Sequence, residues 1–250
     1  MTKIVVFDSG MGSLSVIKSI QKRIKAEIIY FADQKNYPYG IKTVPQLDKI
    51  IKSTISKLQE KFSPDVIVVG SNTPSLLLDM EKKDKILGVY PPLKEAASKT
   101  RSGKIGILAT RSVVKSNTLD RYIKKNVPSK IDVTKINATP LVDLVESGRF
   151  ISQKQLSKDI IQKIIKPHVV NNIDVFTLSS THLPFLVPML TELFPGVTFL
   201  DPADTVAKRV ANISKHKVKR SRLKIYASGN ISAFQKQLQK IGIKNKVNPL

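Results

Sequence analysis

The sequence predicts an α/β protein folded as two lobes, each a parallel sheet flanked by helices. Short apolar runs alternate with segments of helical periodicity along the whole chain, as parallel strands joined by crossover helices require. Nine such runs are too many for one doubly wound sheet of 250 residues, so two sheets are expected. Two of the runs, VIVV at 66–69 and VFTL at 175–178, are followed by Gly70-Ser71-Asn72-Thr73 and Ser179-Ser180-Thr181-His182. Open parallel sheets bind ligands outside the carboxyl ends of their strands. The hydroxyls at these two ends, 109 residues apart, therefore read as two halves of one site.

In chain order, IVVF (4–7) is the first strand, and it runs into Asp8-Ser9-Gly10-Met11-Gly12-Ser13. An acid and a hydroxyl at a strand end, followed by glycines, suit a tight turn opening a helix whose free N–H groups attract anions. The spacing lacks the third glycine of a dinucleotide fingerprint. Leu14, Ile17, Ile20 and Ile24 then recur at helical spacing. EIIYFA (27–32) is the second strand, and Ile50, Ile51, Ile55 and Leu58 mark the next helix. VIVVG (66–70) and ILGVY (86–90) follow. Pro91-Pro92 and the charged stretch SKTRSGK (98–104) read as the crossing between lobes. KIGILA (104–109) and IDVTKI (131–136) begin the second sheet. A helix carries Leu156, Ile160, Ile161 and Ile164, and VFTLS (175–179), VTFL (197–200) and KIYA (224–227) complete the strands.

Composition narrows the function. No apolar stretch approaches the roughly 20 residues of a membrane span. The N-terminus enters a strand at once, leaving no room for a signal peptide, so a cytoplasmic location is expected. There are no cysteines, which excludes disulfides, thiolate metal sites and cysteine nucleophiles. Three scattered histidines without clustered carboxylates give no metal-ligand spacing. His168 and His216 lie in Lys-rich helical contexts and read as surface residues. The net charge of +23 comes from 34 lysines and only 8 arginines. Lysine suits bidentate phosphate or base recognition less well than arginine. Only Lys215–Lys224 is a dense basic run, expected at a helix end or interdomain loop. With 6% aromatics and no Trp, a solvated basic surface is favoured over nucleic-acid binding.

The strand-end segments resemble the two catalytic motifs of glutamate racemases, roughly A-C-N-T-A-S and G-C-T-H-Y-P, with Ser71 and Ser180 at the cysteine positions. The likeness runs in order along nearly the whole chain. Asp8-Ser9-Gly10-x-Gly12-x-Leu14-Ser15 resembles D-S-G-x-G-G-L-S, with Ser13 the departure. Tyr30-Phe31-Ala32-Asp33 followed by Pro38-Tyr39-Gly40 resembles Y-F-A-D…P-Y-G. Ala109-Thr110 with Ser116 and Tyr122, the segment from Pro140 to Gly148, Asp201-Pro202-Ala203, and Ser228-Gly229 with Phe234 resemble later family elements. The neighbours of the two serines differ as well: Gly70 and Pro74 stand for Ala, Ser179 for Gly and Leu183 for Tyr.

The resemblance implies pseudo-symmetric lobes, residues 1–94 plus 208–250 and residues 95–207, with a ligand cleft between them. It implies no cofactor, a small acidic amino acid or dicarboxylate as ligand, and a homodimer in some members. Carried over by position, Ser71 and Ser180 are the acid–base groups, with Asp8 beside the first and His182 beside the second. Ser9, Pro38, Tyr39, Gly40, Asn72, Thr73 and Thr181 would hold the ligand's carboxylates and ammonium.

Serine is a poor heir to that chemistry. A free thiol ionises near ~8.5, whereas a hydroxyl lies nearer water at ~15.7. Even a gap of ~5 pH units costs on the order of 7 kcal/mol, or about 10⁵ in rate per deprotonation. The expected function is a binder with two-thiol racemisation lost. The alternatives are an isomerase using Ser71, Ser180 and His182, a hydrolase in which His182 activates Ser180, and a basic nucleic-acid-binding protein with a vestigial site.

Overall fold

A computed structural model describes residues 2–80, 85–213 and 221–250. The chain divides into two compact units, Met1–Val89 with Ala203–Leu250, and Tyr90–Pro202. The first unit opens with β1 (Lys3–Asp8), α1 (Leu14–Arg23), β2 (Glu27–Ala32), α2 (Val44–Phe62), β3 (Val66–Val69), α3 (Asn72–Leu77) and β4 (Ile86–Gly88). The second contains α4 (Leu93–Lys99), β5 (Lys104–Ala109), α5 (Arg111–Val114), α6 (Asn117–Asn126), β6 (Asp132–Asn137), α7 (Thr139–Glu146), α8 (Arg149–Ser152), α9 (Lys154–Val170), β7 (Val175–Ser179), α10 (Val187–Leu193) and β8 (Thr198–Leu200). The chain then returns to the first unit with α11 (Ala203–Ile213), β9 (Arg222–Ala227), α12 (Ile231–Lys240) and β10 (Val247–Pro249).

Both sheets are wholly parallel. The first has the order β10-β9-β2-β1-β3-β4 and the second β6-β5-β7-β8. Four strands of the first, β2-β1-β3-β4, thus repeat the order of the whole second sheet, which is the pseudo-symmetry. The first sheet is wider because β9 and β10 come from the end of the chain.

The apolar runs form strands because central parallel strands are buried on both faces. Val5, Phe7, Ile29, Phe31, Ile67 and Val69 point to one side, where Leu47, Ile51, Ile55 and Leu58 of α2 cover them. Each such side chain contributes about 1.5–3 kcal/mol by leaving water. Helix α2 starts cleanly: Thr43 accepts from the Gln46 amide, and the Gln46 side chain accepts from the Thr43 amide. On α1, Leu14, Val16, Ile17 and Ile20 are buried, and that helix packs against α11.

Several expectations are corrected. The stretch 98–104 is no crossing between units. It closes a turn inside the second unit, where Asp174 accepts from the Thr100 and Ser102 hydroxyls and from the Arg101 and Ser102 amides. Pro91-Pro92 does lie next to a division, at 89/90. The other division is at 202/203, each five residues before the position read from the sequence. Helix α4 packs on β7 and α6 of the second unit, and α11 packs on α1 and β4 of the first.

On α9 the buried residues are Ser157, Ile161 and Ile165, and Leu156 is 43% exposed. Helices α7, α8 and α10 cover only one side of α9, and its apolar residues spread over more than that side. Strand β10 went unread because Val247-Asn248-Pro249 is only three residues long and ends in a proline, as a sheet edge permits. His216 and most of the Lys215–Lys224 run lie outside the described residues; Arg222 and Lys224 belong to β9.

Candidate functional site

Most of the residues singled out from the sequence stand at the carboxyl ends of parallel strands. In the first unit Asp8 ends β1 and is buried, and its Oδ1 accepts from the Ser9 amide at 2.7 Å. On either side of β1 the chain is tied to it: the Asp33 amide donates to the Asp8 carbonyl, and the Gly70 amide to the Phe7 carbonyl, both at 2.7 Å. Asp8 therefore lies at the same sheet end as the segment Ser71–Thr73.

Ser71 is the residue before α3 and is half-buried, and its hydroxyl makes no capping bond to that helix. Its carbonyl accepts from the Ser75 hydroxyl at 2.6 Å. Asn72 and Thr73 are buried. Asn72 Nδ2 donates to the Val89 carbonyl at 3.1 Å, while its Oδ1 has no hydrogen-bond partner among the described residues. A buried amide oxygen left unpaired costs about 1–3 kcal/mol, so this acceptor is suited to an incoming donor such as an ammonium.

The Tyr39–Ile41 turn, preceded by a cis Tyr37-Pro38 bond, packs against α3. Pro38 and Gly40 are half-buried. Tyr39 is buried and donates to Asp33 Oδ2 at 3.1 Å. Burial pushes the Tyr39 phenol well above its ordinary value, and the carboxylates of Asp33 and Asp8 push it the same way. Tyr39 therefore keeps its proton and acts as a donor.

The second unit repeats the arrangement with different chemistry. Ser180, Thr181 and His182 follow β7 and are all buried. A short turn at Leu183–Leu186 comes next and packs against α7. At the end of α7, Glu146 places Oε2 2.7 Å from His182 Nε2. This fixes the imidazole and supplies a carboxylate that can stabilise its charged form. His168 lies on α9 outside this group, and burial lowers its pKa.

Sequence reasoning missed three residues here. Glu146 lies in the family-like segment 140–148 without having been singled out. Asp33 ends Tyr30-Phe31-Ala32-Asp33, where an acid at a strand end was itself the signal. Ser228 lies 195 residues beyond Asp33, and nothing local joins the two.

Ser13 and Gly70 explain each other. A Cβ at position 70 would lie 2.4 Å from Ser13 Cβ, closer than two carbons can approach. A side chain at 13 is therefore compatible only with glycine at 70. The glutamate-racemase pattern has glycine at the first position and alanine at the second. The methyl has moved from one strand end to the helix start beside it, leaving the Ser13 hydroxyl buried without a hydrogen-bond partner among the described residues.

Among the described residues no group of His, Asp and Glu is placed to hold a metal ion. No helix among them is long and apolar enough to cross a membrane.

Two parallel α/β units of matching strand order, each ending in a hydroxyl after its third strand, define a racemase-type scaffold. The chain belongs to the Asp/Glu/hydantoin racemase family, whose model matches residues 4–210. Glutamate racemase of Shewanella frigidimarina is 33% identical over 213 residues, covering 83% of this chain and 81% of that protein. The glutamate racemase of Aliivibrio fischeri is also 33% identical, over 84% and 80%. Among solved structures, a Bacillus anthracis glutamate racemase superposes with a TM-score of 0.86 at 24% identity, covering 100% and 97% of the two chains. The Escherichia coli glutamate racemase in complex with L-glutamate and the activator UDP-MurNAc-Ala gives 0.84 at 25% identity, covering 100% and 98%. Against that family this chain has no cysteine, and the motif resemblance puts Ser71 and Ser180 at the positions of the two thiols.

Proposed function

We propose that this protein binds a small acidic amino acid or dicarboxylate at its strand-end residues, without a cofactor, and that two-thiol racemisation is lost. The observation that carries the reading is a hydroxyl at both acid–base positions amid retained buried polar groups. The first unit would supply Asp8, Ser9, Asn72, Thr73 and the Pro38–Gly40 turn. The second would supply Ser180, Thr181 and His182. The L-glutamate held by the Escherichia coli relative supports this ligand class.

The chemical argument is one of driving force. A serine hydroxyl can donate a hydrogen bond to a carboxylate as well as a thiol can. It cannot supply, at comparable cost at neutral pH, the anion that must take the proton from a Cα–H bond. A thermal-shift series with L- and D-glutamate, L- and D-aspartate and simple diacids tests binding. Stabilisation by at least one of them is expected, and none by any would overturn the reading. Restoring sulfur in a Ser71→Cys/Ser180→Cys variant tests the loss: gain of glutamate racemisation over the parent is expected. Activity in the parent equal to that of the variant would refute the loss.

A second reading is favoured by the bond between His182 and Glu146. A buried imidazole braced by a carboxylate is a competent general base. Proton exchange at Cα in which His182 removes the proton, exchanges it with solvent and returns a proton to the same carbon would then survive, with Ser71 and Ser180 as neutral hydrogen-bond donors. Deuterium incorporation from D₂O into glutamate, abolished by His182→Asn, would establish it, and no exchange over days would remove it.

A further inference from the structure

The last thirty residues of the chain, 221–250, reach back to the loops after β1 and β2 of the first unit. Ser228 follows β9 and is buried, and its amide donates to the Ala32 carbonyl at 3.0 Å. Its hydroxyl donates to Asp33 Oδ1 at 3.1 Å and accepts from the Lys35 amide at 3.1 Å. Asp33 in turn receives the Tyr39 phenol on Oδ2, and Asn36 Nδ2 bonds both of its oxygens at 3.0 and 2.8 Å. Gly229, at φ +89°, lies against the Gln34–Asn36 turn, where an added Cβ would meet Gln34 Cβ at 3.4 Å. Further on, Gln237 Nε2 approaches Met11 Sδ at 3.2 Å, and Phe234 stacks obliquely on Tyr30, whose hydroxyl donates to the Gly10 carbonyl.

We propose that Ser228 is a positioning residue for the ligand site, acting through Asp33 on the Tyr39–Gly40 turn. The inference rests on the reading of that turn as ligand-binding. A carboxylate with one oxygen on Ser228 and the other on Tyr39 is a fixed relay. Without the serine, Asp33 can turn with Asn36, and Tyr39 loses a defined acceptor. The Lys35 amide loses its acceptor too, so the chain leading into Pro38 is freed at a second point. The connection runs from the end of the sequence to its first forty residues. It exists only because β9 pairs with β2.

The test compares Ser228→Ala and Ser228→Thr with the parent protein, using two readouts. Amide hydrogen exchange over residues 34–41 reports the turn without any ligand. Exchange about tenfold faster in Ser228→Ala is expected, restored in Ser228→Thr, as the loss of one net hydrogen bond would give. Calorimetric titration with glutamate, or whichever acidic ligand gives the largest thermal shift, should show binding about tenfold weaker in Ser228→Ala. In a Tyr39→Phe background the same serine change should have little further effect on affinity, because its route to the ligand is gone. Unchanged exchange in Ser228→Ala overturns the proposal whether or not a ligand binds. Faster exchange with unchanged affinity overturns the link to the ligand. If no acidic ligand binds the parent protein, the functional reading and this link to the ligand both fail, while the exchange arm still decides whether Ser228 anchors the turn.

Discussion

Strands β2 and β6 hold equivalent places beside the first strands of their sheets, β1 and β5, and their surroundings could hardly differ more. EIIYFA in β2 is buried along its whole length, whereas DVTKIN in β6 buries only Ile136. The cause lies on the outer side. Strand β9 covers β2, while β6 is the edge of its sheet. A covered parallel strand needs apolar residues on both faces, and an edge does best with a lysine to discourage pairing with other chains. Lys135 serves that purpose here and also pairs with Asp120 at 2.6 Å. The same difference reaches the functional loops. The turn after β2 is held by Ser228 from its outer neighbouring strand, whereas the turn after β6 is held by its own Asn137, which Thr139 bonds, and by the segment after β5, where Ala109 accepts from the Ala138 amide and the Arg111 amide donates to Thr139. A repeated fold thus has one loop anchored by the end of the chain and one anchored only by itself and by the neighbouring first strand's end.

Introducing a charge should give the largest contrast. Ile29→Lys buries an unpaired ammonium in β2 and should cost more than about 4 kcal/mol, enough to abolish folding of the first unit. Thr134→Lys on β6 should change stability by no more than about 0.5 kcal/mol. Urea unfolding followed by circular dichroism measures both, and equal effects would mean that the two strands are not covered differently.

Gly70→Ala comes next. Forcing its methyl onto Ser13 should cost up to about 3 kcal/mol. Ser13→Gly combined with Gly70→Ala should recover most of that, and a double mutant no more stable than Gly70→Ala alone would disprove the coupling. In the second unit, Glu146→Ala leaves the buried His182 ring without its acceptor. A cost of about 1–2 kcal/mol is expected in thermal unfolding, and none would mean that the pair does not brace the site.

The smallest effect concerns acid. Burial by itself would raise the Asp174 carboxyl, but the hydrogen bonds from Thr100, Arg101 and Ser102 outweigh it and hold the pKa below its ordinary value. A depressed pKa in the folded state stabilises above the unfolded value and is lost as pH falls through the folded one. Parent protein should therefore lose slightly more stability than Asp174→Asn on going from pH 5 to pH 2. Identical acid profiles would show that these bonds do not favour the charged carboxylate.

Much of the site was legible because strand ends are local features. An apolar run followed by a hydroxyl or an acid is readable without tertiary information, so the strand-end positions of Ser71, Ser180, Asp8 and His182 could be read together with their strands, and their roles remain part of the proposal. Glu146 was not legible as a partner of His182, since the two are 36 positions apart, with a long helix and a strand between them. The helical spacing of Leu156, Ile160, Ile161 and Ile164 located α9, with Ile161 buried and Ile160 and Ile164 half-buried, but the exposure of Leu156 and the burial of Ser157 and Ile165 follow from the packing of neighbouring helices. The charged turn at 98–104 reads as a linker by composition, and only the distant Asp174 makes it a closed loop.

The sequence by itself determined the alternation of strands and helices, the two-sheet architecture and the hydroxyls after the strands β3 and β7, since each is written in consecutive residues. The resemblance already put the chain's last segment with the first lobe; tertiary structure decided that it pairs with β2, which makes that strand central and anchors the turn after it, and, separately, why Gly70 must lack a side chain. Those outcomes depend on distances between residues far apart in sequence, and no periodicity or spacing encodes them.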